Sequence, residues 1–171
     1  MELGLERGTV RILPHEKEWE EEAENTIKRL WNIFPEAWDI QHIGSTAIKT
    51  IAAKPIIDIA VALDDMESAA LHIDEMTMNG MIFRGSDIPK QMLFVIGDNN
   101  IRTHHIHIVE WKSKACNDYI AVRDYLNAHP DKAAEYEDMK RKLCSLYPDN
   151  RKAYTAGKEE FIRAIIEEAE A

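Results

Sequence analysis

Hydrophobic positions along the chain fall into blocks with different periods. Trp19, Ala23, Ile27, Leu30, Trp31 and Phe34 recur at three- and four-residue steps. They therefore share one face of a helix that opens after Pro14 and ends at Pro35, and all are expected in the core. Trp38 to Ile43 reads as a short strand running into Gly44-Ser45-Thr46, and 47–53 as one or two helical turns. Pro55 to Leu63 is the strongest strand signal, apolar on both faces and so expected inside a sheet. Met66 to Asn79 predicts a helix stopped by Gly80. Met81–Arg84, Met92–Ile96 and Arg102–Glu110 read as three strands, joined by hairpin turns at Gly85–Lys90 and Gly97–Asn100. Ala115–Ala128, Asp131–Tyr147 and Asn150–Glu170 read as helices, punctuated by His129-Pro130 and Tyr147-Pro148.

The short turns between the later strands predict antiparallel pairing there. The order of elements predicts the α+β class: a mixed or antiparallel β-sheet with flanking helices and a C-terminal helical lobe. Residues 1–112 form the expected α/β core and 113–171 the expected lobe, packed on it as one compact unit. A chain of 171 residues is long enough to bury a core of its own.

Charge narrows the partners. Against 21 Lys and Arg stand 31 Asp and Glu, a net charge of −10. DNA is not an expected partner, because a polyanion would approach against a repulsive field. Six acids fall between Glu16 and Glu24, which fits a solvated helix face. The middle of the chain differs: Lys49, Lys54, Arg84, Lys90 and Arg102 are isolated cations among apolar strands. That pattern suits a small anionic ligand. No apolar run reaches the roughly 18 residues of a membrane span, so no membrane partner is expected. Glu2 and Glu6 occupy the place where a secretion signal carries its basic residues, and the expected compartment is the cytoplasm. Cys116 and Cys144 have no metal-ligand or disulfide spacing.

The densest chemistry lies between His42 and Asp58. A glycine after a strand lets the backbone approach a ligand closely, and the Ser45 hydroxyl with the following amides can hold a phosphate; the same residues also suit a plain capped turn. Asp58 sits between Ile57 and Ile59 in an apolar strand. A buried carboxylate costs several kcal/mol unless it is paired or binds a metal, so Asp58 needs a partner. Lys54, just before the strand, is a candidate phosphate contact. In Arg102-Thr-His-His-Ile-His107, strand alternation points His105 and His107 one way and His104 the other. Two histidines on one face can ligate a transition metal or position a phosphate. Arg123, in Val-Arg-Asp-Tyr-Leu, is expected to brace the two lobes through a carboxylate, to contact substrate, or to reach across and balance Asp58.

The run HIGSTAIKTIAAKPIIDIAV, the strand RTHHIHIVE, the segment VRDYLNAHPDKAAEY and the pair Tyr154/Lys158 together resemble the GrpB family, over roughly residues 8–165. The resemblance implies the nucleotidyltransferase fold of polymerase β. The pattern of that fold is a Gly-Ser turn that holds phosphates, then two carboxylates one residue apart on a strand, with a third from a neighbouring strand. Those carboxylates hold two Mg²⁺ ions for in-line nucleotidyl transfer. Asp58 fills the first carboxylate position, but Ala60 stands at the second, and His105 and His107 fall near the third. One Asp and two imidazoles suit Mn²⁺ or Zn²⁺ better than Mg²⁺.

The resulting expectation is a protein that binds a nucleoside triphosphate or another phosphorylated small molecule with a divalent cation, and transfers a nucleotidyl group to a small metabolite. Gly44, Ser45, Thr46, Lys54 and Arg102 would contact phosphate or nucleotide. By the resemblance, Tyr154 and Lys158 would join them. Asp58, His105 and His107 would hold the metal, with Asp58 and His107 in the catalytic roles. The alternative is a non-catalytic nucleotide-binding or regulatory module, with a coenzyme-A-related ligand among its candidates, and Ala60 is the feature that favours it.

Overall fold

The computed structural model describes residues 1–86, 88–98 and 100–171. Strand β1 (Leu5–Glu6) precedes helix α1 (Lys17–Ile33), which leads to β2 (Asp39–Ile43), a single 3₁₀ turn at Ser45–Ala47 and β3 (Ile57–Leu63). Two short helices, α2 (Met66–Ala70) and α3 (Ile73–Met78), connect to β4 (Ile82–Gly85), β5 (Gln91–Gly97) and β6 (Ile101–Glu110). Helices α4 (Lys114–Ala128), α5 (Pro130–Leu146) and α6 (Arg151–Glu170) complete the chain. The sheet runs β2-β3-β6-β5-β4, with β1 on the overhanging start of β6. Strands β3 and β6 are parallel and every other pairing is antiparallel, so the expected mixed sheet is found. The expected turns at Gly85–Lys90 and Gly97–Asn100 include residues 87 and 99, which lie outside the described residues.

Alternation along β3 and β6 divides the protein into two faces. Ile57, Ile59, Val61 and Leu63 with Ile106 and Ile108 pack against Trp19, Ala23, Leu30 and Ile33 of α1 and against Met76 of α3. The opposite face presents Asp58, Ala60 and Ala62 beside His105, His107 and Val109. Helix α4 covers its far end through Cys116, packed with Ala62 and Val109. A third cluster joins Leu126, Ala133, Tyr136 and Ile165 of the C-terminal helices to Ile48 and Ile51. Among the described residues no helix is long and apolar enough to cross a membrane.

Three expectations are corrected, and one element is added. Trp31 is not core: it is 37% exposed, and Thr26 takes the buried place on that turn, with its hydroxyl against His104 Nε2 at 3.1 Å. Residues 48–53 are not helical, because other elements satisfy their peptide groups. Asn127 accepts from the Lys49 N–H and donates to the Ala47 carbonyl. Ala53 exchanges two backbone bonds with Leu13, and Ala52 is bonded by Glu137 and Lys140. The helix expected over Met66–Asn79 is two, broken at Leu71-His72, where His72 turns to Glu36 and its ring lies tilted against Phe34, centroids 4.5 Å apart. Strand β1 had no sequence signal; two residues are too few to show a period.

Lys140 is 1% exposed. Its ammonium donates to the Ala52 carbonyl at 2.7 Å and lies 4.8 Å from the centre of the Tyr136 ring. Burial, reinforced by Lys158, pushes its pKa down from 10.5 to about 7. Between those values the unfolded chain binds more protons than the folded one, so stability rises with pH across that window. Urea unfolding at pH 7 and pH 9.5 should show this rise in the native protein and a flatter profile in Lys140→Met. Equal slopes in the two proteins would exclude the buried lysine as the source.

Candidate functional site

The turn after β2 exists to bring backbone against a carboxylate. Gly44 has φ +74° and ψ −174°, and a Cβ there would lie 2.7 Å from Asp58 Oδ2. Only glycine tolerates both conditions. The chain then tightens into Ser45–Ala47, fixed by His42 Nε2 against the Thr46 hydroxyl at 2.8 Å. Burial lowers the His42 pKa to about 4; the Asp58 charge opposes this and that of Arg123 assists it. His42 is therefore a neutral brace for the turn.

Asp58 and its partners follow from strand register. Asp58 pairs with His105 across the parallel β3–β6 ladder, and Ala60 with His107, so both imidazoles share the face of the carboxylate. Asp58 Oδ1 lies 3.0 Å from His107 Nε2 and 3.5 Å from His105 Nδ1. Burial alone would raise the carboxyl, but the hydrogen bonds to His105 and His107 outweigh it and hold Asp58 far below the usual carboxylate range. Its side chain keeps 26% exposure, open toward a cavity. Burial depresses His105 despite Asp58, and its buried Nε2 has no hydrogen-bond partner among the described residues. Tyr119 lays its ring 5.3 Å from that of His107 and donates its hydroxyl to Gln91. Burial and the Asp58 charge push the Tyr119 hydroxyl up to about 12.

The cavity holds about 580 Å³ between this sheet face and helices α4–α6. Opposite Asp58 stands a cationic group. Lys54 and Lys158 place their ammoniums 5.2 and 5.3 Å from the centre of the Tyr154 ring. Neither lysine has an ion pair or hydrogen bond among the described residues. Burial drives the Lys54 pKa well below the ordinary value, with Lys158 adding to the effect and Asp58 opposing it. Arg151 borders the same space from the start of α6. Ser45 Oγ faces Tyr136 Oη at 3.4 Å, and Ile48, Val122 and Ile162 supply an apolar wall.

Of the sequence candidates, Gly44, Ser45, Lys54, Asp58, His105, His107, Tyr154 and Lys158 come together around the cavity. Two do not. Thr46 is 1% exposed, with its hydroxyl engaged by His42. Arg102 lies at the start of β6 beside Leu5 and is not part of the cavity wall. Arg123 does not reach Asp58: it donates to Gln41 and to the His42 carbonyl and pairs with Asp124, so it clamps α4 to β2. Tyr119, Tyr136 and Arg151 escaped the sequence reading. Tyr136 lies in a segment that carried the family resemblance, but its helix position alone gave no sign that it reaches Ser45.

Asp58, His105 and His107 each offer a ligand atom, and these lie within 4.8 Å of one another. One carboxylate and two imidazoles fit a single transition-metal ion. They do not fit two Mg²⁺ ions, which need several carboxylate oxygens. Ala60 supplies none and is 5% exposed.

Residues 9–168 match the family model described as GrpB protein. Protein YqkA of Bacillus subtilis is 37% identical over 162 residues, covering 94% of this chain and 47% of its own length. The chain thus spans about half of that relative. The crystal structure of GrpB from Enterococcus faecalis superposes with a TM-score of 0.86 at 30% identity, covering 93% of this chain and 96% of that one. The MgGTP-bound Cid1 poly(U) polymerase gives a TM-score of 0.54 at 14% identity, covering 78% of this chain and 44% of that one. This likeness gives the fold: it is nucleotidyltransferase-like.

Gly44→Ala should lower unfolding stability by about 2 kcal/mol or more, from a strained φ plus a forced contact with Asp58. In chemical denaturation, combining it with Asp58→Ala should recover part of the loss. Full additivity of the two would rule out the contact as the cause.

Proposed function

The chain belongs to the GrpB family, and we propose that its cavity binds a nucleoside triphosphate, or a similar phosphorylated small molecule, together with one divalent cation. The observation that carries this reading is the arrangement of opposite charges across one cavity. The Asp58–His105–His107 cluster stands on one side, and Lys54 and Lys158, which have no acidic partner among the described residues, gather around the Tyr154 ring on the other. A cation at the cluster would supply Lewis-acid polarisation of a phosphoryl oxygen. The protein's own groups do the rest. Asp58, kept ionised by its two histidines, offers charge to the cation, while Lys54, Lys158 and Arg151 offset phosphate charge. The Ser45 and Tyr136 hydroxyls orient a phosphoryl oxygen, the Tyr154 ring fixes the lysines, and the apolar wall excludes water. The nucleotide-bound Cid1 structures, which share the fold, support the choice of ligand. Mn²⁺ or Zn²⁺ suits the donors better than Mg²⁺.

A second reading is favoured by Ala60: the ligand is held without nucleotidyl transfer, because the second carboxylate position is filled by a buried methyl group.

Thermal-shift titration tests binding. ATP, CTP, GTP or UTP at about 100 times its dissociation constant, with Mn²⁺ or Zn²⁺, should add about 2.7 kcal/mol, a rise of roughly 5–11 °C. EDTA or Asp58→Asn should abolish it. A shift of the same size in Asp58→Asn would remove Asp58 from the metal site. Ala60→Asp separates the two readings. Without metal it should destabilise the protein, since a new carboxylate is buried without a partner. With Mn²⁺ it should recover stability, and it should gain nucleotidyl transfer only if the remaining site is competent.

A further inference from the structure

Displacement of Arg102 from the cavity reveals a second cationic group. Leu5 pairs with Arg102 across β1 and β6, and the Arg7 N–H donates to the Asn100 carbonyl two residues before Arg102. Arg151 spans this segment from the helix side: its Nη2 donates to the Glu6 carbonyl at 2.9 Å and its Nε to the Thr9 carbonyl at 3.2 Å. Backbone connections therefore bring Arg7, Arg102 and Arg151 to one place. The charge of Arg84, on β4, is felt at the Arg102 guanidinium, and the buried Nε of Arg84 has no partner among the described residues. Burial lowers the Arg102 guanidinium, and the charges of Arg84 and Arg7 lower it further; burial followed by Arg102 and Arg7 does the same to Arg151.

Four guanidiniums together are unexpected in a chain with 31 acidic and 21 basic side chains. Elsewhere Arg11 pairs with Glu2, Arg123 with Asp124 and Arg141 with Glu137, while Arg29 donates to the Asn79 carbonyl. Among the described residues none of these four has a carboxylate partner. Like charges held together destabilise the protein unless an anion joins them. Arginine presents a planar fork of donors matched to phosphoryl oxygens.

We propose that Arg7, Arg84, Arg102 and Arg151 form a phosphoryl-binding subsite that continues the cavity through Arg151 and works without a metal ion. Its ligand is a small molecule with a phosphoryl group beyond those held at Lys54 and Lys158. A nucleic-acid strand is disfavoured by the net charge of −10. The proposal is independent of the metal site, since no carboxylate of that site takes part.

The test is isothermal titration of the full chain with inorganic tripolyphosphate, in EDTA and at low ionic strength. The native protein should bind. The double variant Arg84→Gln/Arg102→Gln should bind roughly tenfold or more weakly. Without the anion, the double variant should melt no lower than the native protein, because two unpaired like charges are gone. If the double variant misfolds, Arg7→Gln alone should still give a smaller loss of affinity, since Arg7 is exposed and its side chain makes no hydrogen bond among the described residues. Undiminished binding in the folded variants overturns the proposal, as does binding by the native protein only when a metal is added. A single-stranded oligonucleotide that binds more tightly than tripolyphosphate, and is weakened by the same variants, overturns the small-ligand assignment. Loss of the nucleotide-plus-metal shift with tripolyphosphate binding intact would refute the metal reading and leave this one standing.

Discussion

Asp58 is a carboxylate on the inner face of a sheet, and the groups around it follow from that placement. An ionised side chain among apolar strands needs hydrogen bonds and an opening to polar surroundings. The parallel pairing of β3 with β6 sets His105 and His107 beside it, and the bare Cα of Gly44 leaves room for its second oxygen. Helix α4 meets the far end of the sheet face that Asp58 occupies, and near Asp58 the C-terminal helices stand off that face and leave the cavity. Replacing Asp58 by an apolar residue would remove the reason for the glycine turn and leave two histidines facing each other. Turn, strand register and cavity are parts of one solution to a single buried charge.

The helices serve this site by tying down the turn that leads into it. Lys140 satisfies the Ala52 carbonyl, and with Glu137 it replaces the helix that residues 48–53 would otherwise form. Arg123 fastens α4 to β2 immediately before Gly44. The Ser45 turn is thus held from the sheet by His42 and from the helices by Arg123, Asn127 and Glu137. A loop tied at this many points is preorganised, so binding at Ser45 requires little further ordering.

Much of this was legible in the chain because strands have a strict period of two. The alternation of His104, His105 and His107 indicated which histidines share a face, and Asp58 between isoleucines declared a buried charge. The Gly-Ser turn was visible for the same local reason. What could not be read was determined by contacts between distant segments. Trp31 has the spacing of a core residue but lies at the edge of the helix's buried face, whose width depends on what packs there. Residues 48–53 have helical composition, yet their peptide groups are taken by Leu13, Asn127, Glu137 and Lys140. Arg102 reads as one more cation near the site, and only the pairing of β1 with β6 reveals that it belongs with Arg7 and Arg151 instead.

The two cationic groups differ in what they require of a ligand, and Asp58 is the cause. Because its histidines keep it ionised, any phosphate drawn toward Lys54 and Lys158 also approaches a carboxylate across the same cavity. Attraction to the lysines is then partly cancelled by repulsion from Asp58, more strongly than in water because the cavity is walled by protein. A cation between carboxylate and phosphate turns that repulsion into two attractions. On the proposed reading, metal and anion strengthen each other's binding by the same factor, by linkage. Around Arg7, Arg84 and Arg102 no described carboxylate intervenes, so no such coupling operates. A ligand with phosphoryl groups at both places would bind one end conditionally on the metal and the other unconditionally. The arginines would gather the ligand first, and the metal would govern how it is held over Asp58.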